Sequence, residues 1–128
     1  MNTAAPLLAG QQVDQVCLVL VAAIAFIGGA LQMYRGQPHT TPQLDNVHRF
    51  MAGVYFSTGV INLWAAITIR QQGTLIYLLA LGVFLAGVER LISITRVGVP
   101  RPARVWLGYL VPELTLPIII VVAKALTP

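Results

Sequence analysis

Four charged side chains stand where an apolar sequence has least room for them: Arg49, Glu89, Arg90 and Glu113. Each lies in, or just inside, a long run of hydrophobic residues, and a charge near the middle of such a run costs about 2.5–3.5 kcal/mol to place in lipid. A carboxylate there must pair with a cation or keep its proton. A guanidinium can grip a carboxylate or a phosphate through two parallel hydrogen bonds. At comparable depth, two acids and two bases can neutralise one another. They can also wall a polar pocket, together with Asn46, Tyr109 and Gln32, that takes a small anionic or amphipathic ligand such as a metabolite or a lipid headgroup. Glu113 would then be a proton-coupled switch. Binding or transport of such a ligand is the expected function. The alternative use of the same residues is a set of buried ion pairs that only fix helix packing, in a non-catalytic accessory or structural subunit of a membrane complex.

Other chemistries find less support. No Ser/His/Asp or Cys/His ordering has a credible context, so no catalytic residue is assigned and an enzyme is not expected. His39 and His48 lack companion ligands, and no metal or other cofactor is implied. The single cysteine, Cys17, has no disulfide partner within the chain and reads as a small buried apolar side chain. Asp14 reads as a solvated flank of the first helix, and Trp64 and Trp106 as interfacial aromatics. The net charge of +4 comes without a Lys/Arg cluster interleaved with exposed aromatics, so nucleic acid is not an expected partner.

The elements that position these residues follow from composition. Of 128 residues, 57% are hydrophobic and 9% charged, too few charges to coat a soluble domain, which carries about 25%. Four stretches are long enough to cross about 30 Å of hydrocarbon. The expected fold is therefore all-α: an integral membrane, antiparallel four-helix transmembrane bundle, forming one domain over residues 1–128. Its helices are expected near 13–35, 45–70, 73–96 and 104–125. Residues 1–12 hold no Lys or Arg, so the basic region of a secretory signal is missing and the first helix is expected to stay in the mature protein.

Orientation follows from the basic residues. Arg35, Arg49, Arg90, Arg96, Arg101 and Arg104 gather at the first and third connections, against Arg70 and Lys124 on the other side. Loops 36–44 and 97–103 are thus expected in the cytoplasm and both termini outside, across a cell inner membrane. Connections this short leave no room for a catalytic domain in water.

Helical spacing assigns faces. On helix three, Gly82, Ala86, Glu89, Ser93 and Arg96 share a stripe, with Arg90 about 100° around it beside Gly87. On helix four, Trp106, Tyr109, Glu113, Pro117 and Ile120 align, and Pro112 and Pro117 can free carbonyls one turn earlier, as in the broken helices that line binding cavities. Helix one offers Ala25, Gly28, Gly29 and Gln32 as a small, mildly polar face; helix two offers His48, Tyr55, Thr58 and Asn62. The small-residue faces Gly53/Ser57 and Gly82/Ala86 suit close helix approach. Four helices enclose little volume, so transport would call for a homodimer, and an accessory role would call for a membrane partner subunit.

Asn46-Val-His-Arg-Phe-Met-Ala-Gly-Val-Tyr55, Gly87-Val-Glu-Arg-Leu-Ile-Ser93, Gly98-Val-Pro100 and Glu113 together resemble a bacterial family of small four-helix membrane proteins catalogued as domain of unknown function 4345. The resemblance covers most of the chain. It implies Asn and Arg opening helix two, Gly-x-x-Arg closing helix three, a Gly-x-Pro turn and an acid in helix four. Arg49, Arg90 and Glu113 match that pattern, while Glu89 looks particular to this member. The sequence also looks broadly like the DoxX-like four-helix membrane proteins. The resemblance implies an architecture and no activity.

Overall fold

The computed structural model describes residues 5–128 and contains, among them, helices and no strand. Four long helices, α1 (Ala9–Arg35), α2 (Pro42–Ile67), α3 (Thr74–Val97) and α4 (Ala103–Ala125), are joined by short connections, with one 3₁₀ turn at Ile69–Gln71. They have 27, 26, 24 and 23 residues, or about 35–40 Å at 1.5 Å per residue, against about 30 Å of hydrocarbon. All four are long and apolar enough to cross a membrane, which fits an all-α four-helix bundle and makes this a multi-pass membrane protein. Large apolar side chains such as Ile27, Phe50, Ile67, Leu78 and Val111 are exposed, as lipid rather than water would favour.

The helices start and stop where local chemistry dictates, with consequences for the expected bounds. Helix α1 begins at Ala9, four residues before the expected position, because the Gln11 side chain reaches back to accept from the Leu8 amide at 3.0 Å. Helix α2 begins at Pro42 rather than 45. Thr41 is its cap, with Oγ1 accepting from the Leu44 amide at 3.2 Å, and proline suits the first helical position. It stops at Ile67, short of the expected 70, where the chain tightens into the 3₁₀ turn. Helix α3 ends against Gly98, whose φ of 94° a side chain would resist and whose amide donates to the Ile94 carbonyl at 2.9 Å. Helix α4 runs unbroken through Pro112 and Pro117, close to the expected 104–125, and the prolines leave the carbonyls of Gly108 and Glu113 without their helical donor.

The chain divides into two compact units, and the division runs through α1. One comprises the described residues through Cys17 together with Ile69–Pro128. Within it α3 and α4 pack as an antiparallel pair, and the start of α1 meets the end of α4, where a Cβ added at Gly10 would stand 2.8 Å from the Ala123 carbonyl. Lys124 Nζ donates to the Gln72 carbonyl at 3.1 Å, and Arg70 to the Ala5 carbonyl.

The other unit is Leu18–Thr68. Gly29 lies against Ala52 and Phe56, and Gly59 against Ala22, Ala25 and Phe26. Phe26 and Phe56 meet edge to face at 4.9 Å. Asn62 is fully buried and donates to the Thr58 carbonyl at 2.8 Å, while its Oδ1 has no partner among the described residues.

Candidate functional site

The site is made possible by an absence of side chain. A Cβ placed on Gly87 of α3 would lie 2.9 Å from Leu114 Cδ2 and 3.1 Å from Glu113 Cβ, closer than packed carbons tolerate. Glycine thus lets the α4 backbone come close at this level. Arg90, one turn further along α3, can then span the gap to α4. Its Nε donates to Glu113 Oε1 at 2.7 Å and its Nη2 to Oε2 at 2.9 Å, a two-pronged, charge-assisted contact. Glu113 is buried, and the Arg90 side chain keeps 27% of its exposure.

Helix α4 supplies the rest from the same face. The Arg90 guanidinium lies 5.5 Å from the Tyr109 ring centre and 5.8 Å from that of Trp106, close enough for the rings to attract the cation. The two rings are 6.1 Å apart. Spacing of three and four residues puts Trp106, Tyr109 and Glu113 in line, so a single stretch of α4 provides both the counter-charge and an aromatic cover. Chemically the arrangement is closed: both carboxylate oxygens and two of the three guanidinium nitrogens face each other.

Of the remaining residues of the expected pocket, Glu89 belongs to the same unit and Arg49, Asn46 and Gln32 to the other. Glu89 precedes Arg90 by one residue and therefore points about 100° around α3; it is exposed and makes no hydrogen bond or ion pair with a described residue. Arg49 belongs to the other unit and pairs at 3.0 Å with Asp45, one turn earlier on its own helix. Asn46, on the same turn, is exposed. Gln32 is half-buried in that unit, and its Nε2 has no partner among the described residues, as is also true of His48 Nδ1. The structure thus joins Arg90, Glu113 and Tyr109 in one cluster and gives Arg49 a local partner of its own.

Three features escaped the reading of the sequence. Asp45 was a findable partner for Arg49, since acid and base four residues apart share a helix face. Trp106 serves as a cover for Arg90 in addition to any interfacial role. Asp14 is no solvated flank: it is 1% exposed, its Oδ1 has no partner among the described residues, and the charge that acts on it is Lys124. It is buried because the start of α1 packs against the end of α4. The faces Gly53/Ser57 and Gly82/Ala86 also differ from expectation, for a Cβ on Gly53 or Gly82 would meet nothing within 4 Å.

An apolar groove of about 380 Å³ lies between α3 and α4, lined by Tyr77, Ala80 and Phe84 from one helix and Pro117 and Val121 from the other. It lies nearer the start of α3 and the end of α4 than the ion pair does. Among the described residues no three His, Cys, Asp or Glu side chains are grouped to hold a metal ion.

The model of a family described as "Domain of unknown function (DUF4345)" matches residues 13–124. No curated protein and no solved structure matches the chain.

Proposed function

The chain belongs to the DUF4345 family, whose description carries no activity, and from that premise we propose a non-catalytic, structural or accessory role in a membrane complex, with Arg90–Glu113 as the joint that holds α3 to α4. The observation that carries this reading is the closed, two-pronged geometry of the pair beneath the rings of Trp106 and Tyr109. Glu113 takes the Nε and Nη2 fork of Arg90, the two-pronged grip that a ligand carboxylate or phosphate would otherwise use. The orientation that accompanies this reading puts both termini outside an inner membrane and the 36–44 and 97–103 connections in the cytoplasm, following the excess of arginine there.

A double-mutant cycle tests the joint. Losing one member of a buried pair costs about 3–5 kcal/mol because the other charge stays unpaired, whereas replacing both with apolar residues is near neutral. Because Arg90 is partly exposed, the low end applies, about 3 kcal/mol. Arg90→Met and Glu113→Leu should each lower the melting temperature in mild detergent, and the double variant should recover most of the loss. Single variants that melt like the parent protein would sink the proposal.

One observation favours ligand binding as a second reading, located in the Leu18–Thr68 unit. The buried Nε2 of Gln32 is a donor without a partner among the described residues, the kind of group a small anionic or amphipathic ligand would satisfy. Native mass spectrometry of the protein in mild detergent should then show a co-purifying lipid or metabolite that Gln32→Leu removes. An adduct-free mass for the parent protein would end that reading.

A further inference from the structure

Three exposed arginines stand at the connection between α3 and α4, Arg96 in the last turn of α3, Arg101 in the connection itself and Arg104 in the first turn of α4, and none is bonded or ion-paired to a described residue. No acid occurs between Arg90 and Glu113 in the sequence, and Glu113 is already occupied by Arg90. The nearest open carboxylate on α3, Glu89, stands seven residues behind Arg96, about 10 Å along the helix. Three positive charges within nine residues therefore have no counter-charge of their own.

Their surroundings indicate what kind of partner fits. Helices α3 and α4 each exceed the hydrocarbon thickness, so the turn joining them reaches headgroup level. Val97 and Val99 sit among the arginines and are 82% and 42% exposed. A water-soluble acidic protein or a nucleic acid would answer the guanidinium groups and leave those valines in water. The surface of a lipid leaflet answers both, with phosphates for the forked guanidinium donors and the acyl boundary for the valines. Gly98, with its positive φ, fixes where the chain leaves α3 and hence how the three arginines are spread.

We propose that Arg96, Arg101 and Arg104, with Val97 and Val99 between them, form a docking surface for the phosphate headgroup of anionic phospholipids. This goes beyond the orienting effect of basic loops, because it asserts selective retention of lipid by the folded protein.

The test is made in detergent, where orientation plays no part. The full chain is exposed to equal amounts of phosphatidylglycerol and phosphatidylcholine with the same acyl chains, and bound lipids are counted by native mass spectrometry. The parent protein should retain phosphatidylglycerol preferentially. Each arginine near an anionic surface is worth roughly a fivefold change in affinity, so Arg96→Gln/Arg101→Gln/Arg104→Gln together should lower phosphatidylglycerol binding on the order of a hundredfold and leave phosphatidylcholine binding unchanged. Equal retention of both lipids by the parent protein, or an unchanged preference in the triple variant, overturns the proposal. Should the triple variant fail to fold, Arg101→Gln and Arg104→Gln are read singly at roughly fivefold each, and no change in either overturns it as well.

Discussion

Within one unit, two levels of α4 present the same charges in opposite arrangements, one at mid-helix and one in the last turn. Glu113 and Lys124 are eleven residues apart, about 16 Å, and eleven steps of 100° return almost to the starting face. At mid-helix the acid belongs to α4 and the base, Arg90, to α3, and they meet through two short hydrogen bonds. In the last turn the base belongs to α4 and the acid, Asp14, to α1. There the ammonium of Lys124 gives its hydrogen bond to the Gln72 carbonyl, and the more deeply buried carboxylate keeps one oxygen without a partner among the described residues. Burial and pairing are thus separate properties. The middle of α4 stabilises through contact; its last turn faces a desolvated acid whose open oxygen costs about 1–3 kcal/mol.

The difference can be broken most forcefully at Gly87, because the mid-helix contact depends on it. Gly87→Val would drive a branched side chain into Leu114 and the backbone of Glu113. Overpacking of this kind typically costs about 1–3 kcal/mol, and here the loss of the Arg90–Glu113 joint adds to it. We expect no monodisperse folded protein on size exclusion in mild detergent. Gly82→Ala, five residues earlier on α3, is the matched control: its new methyl meets nothing within 4 Å, so stability should hold or rise by up to about 1 kcal/mol from helix propensity. Equal tolerance of both changes would show that α3 and α4 do not need their close approach.

This contrast also measures what the sequence could say. Four apolar stretches of membrane-crossing length are visible in composition alone, because lipid imposes length and hydrophobicity on every span. The alignment of Trp106, Tyr109 and Glu113 was equally legible, since it needs only the helical repeat. What could not be read was which small-residue face makes contact. Gly82 and Gly87 look alike in a sequence of glycines and alanines, and only the packing of α4 distinguishes them. Asp14 failed for a related reason. Its place near the start of α1 suggests a solvated flank, and its burial depends on α4 ending beside it, a long-range fact that no local pattern encodes. Arg49 was legible but unread, for Asp45 sits four residues before it.

The sharpest form of the comparison removes one negative charge at each level with the least change in shape. Glu113→Gln leaves the Arg90 guanidinium facing a neutral amide in a largely buried setting, and should lower stability by about 3 kcal/mol. Asp14→Asn removes a buried charge to which no described group donates at Oδ1, while Lys124 keeps its bond to the Gln72 carbonyl. The desolvation cost of the carboxylate disappears, which stabilises, and the attraction from Lys124 disappears with it, which destabilises. Because the two changes oppose each other, the expected net change is within about 1 kcal/mol. Thermal unfolding of the two variants in the same detergent measures both. If Asp14→Asn destabilises as strongly as Glu113→Gln, then Lys124 holds Asp14 as firmly as Arg90 holds Glu113, and the middle and the last turn of α4 are joints of equal strength.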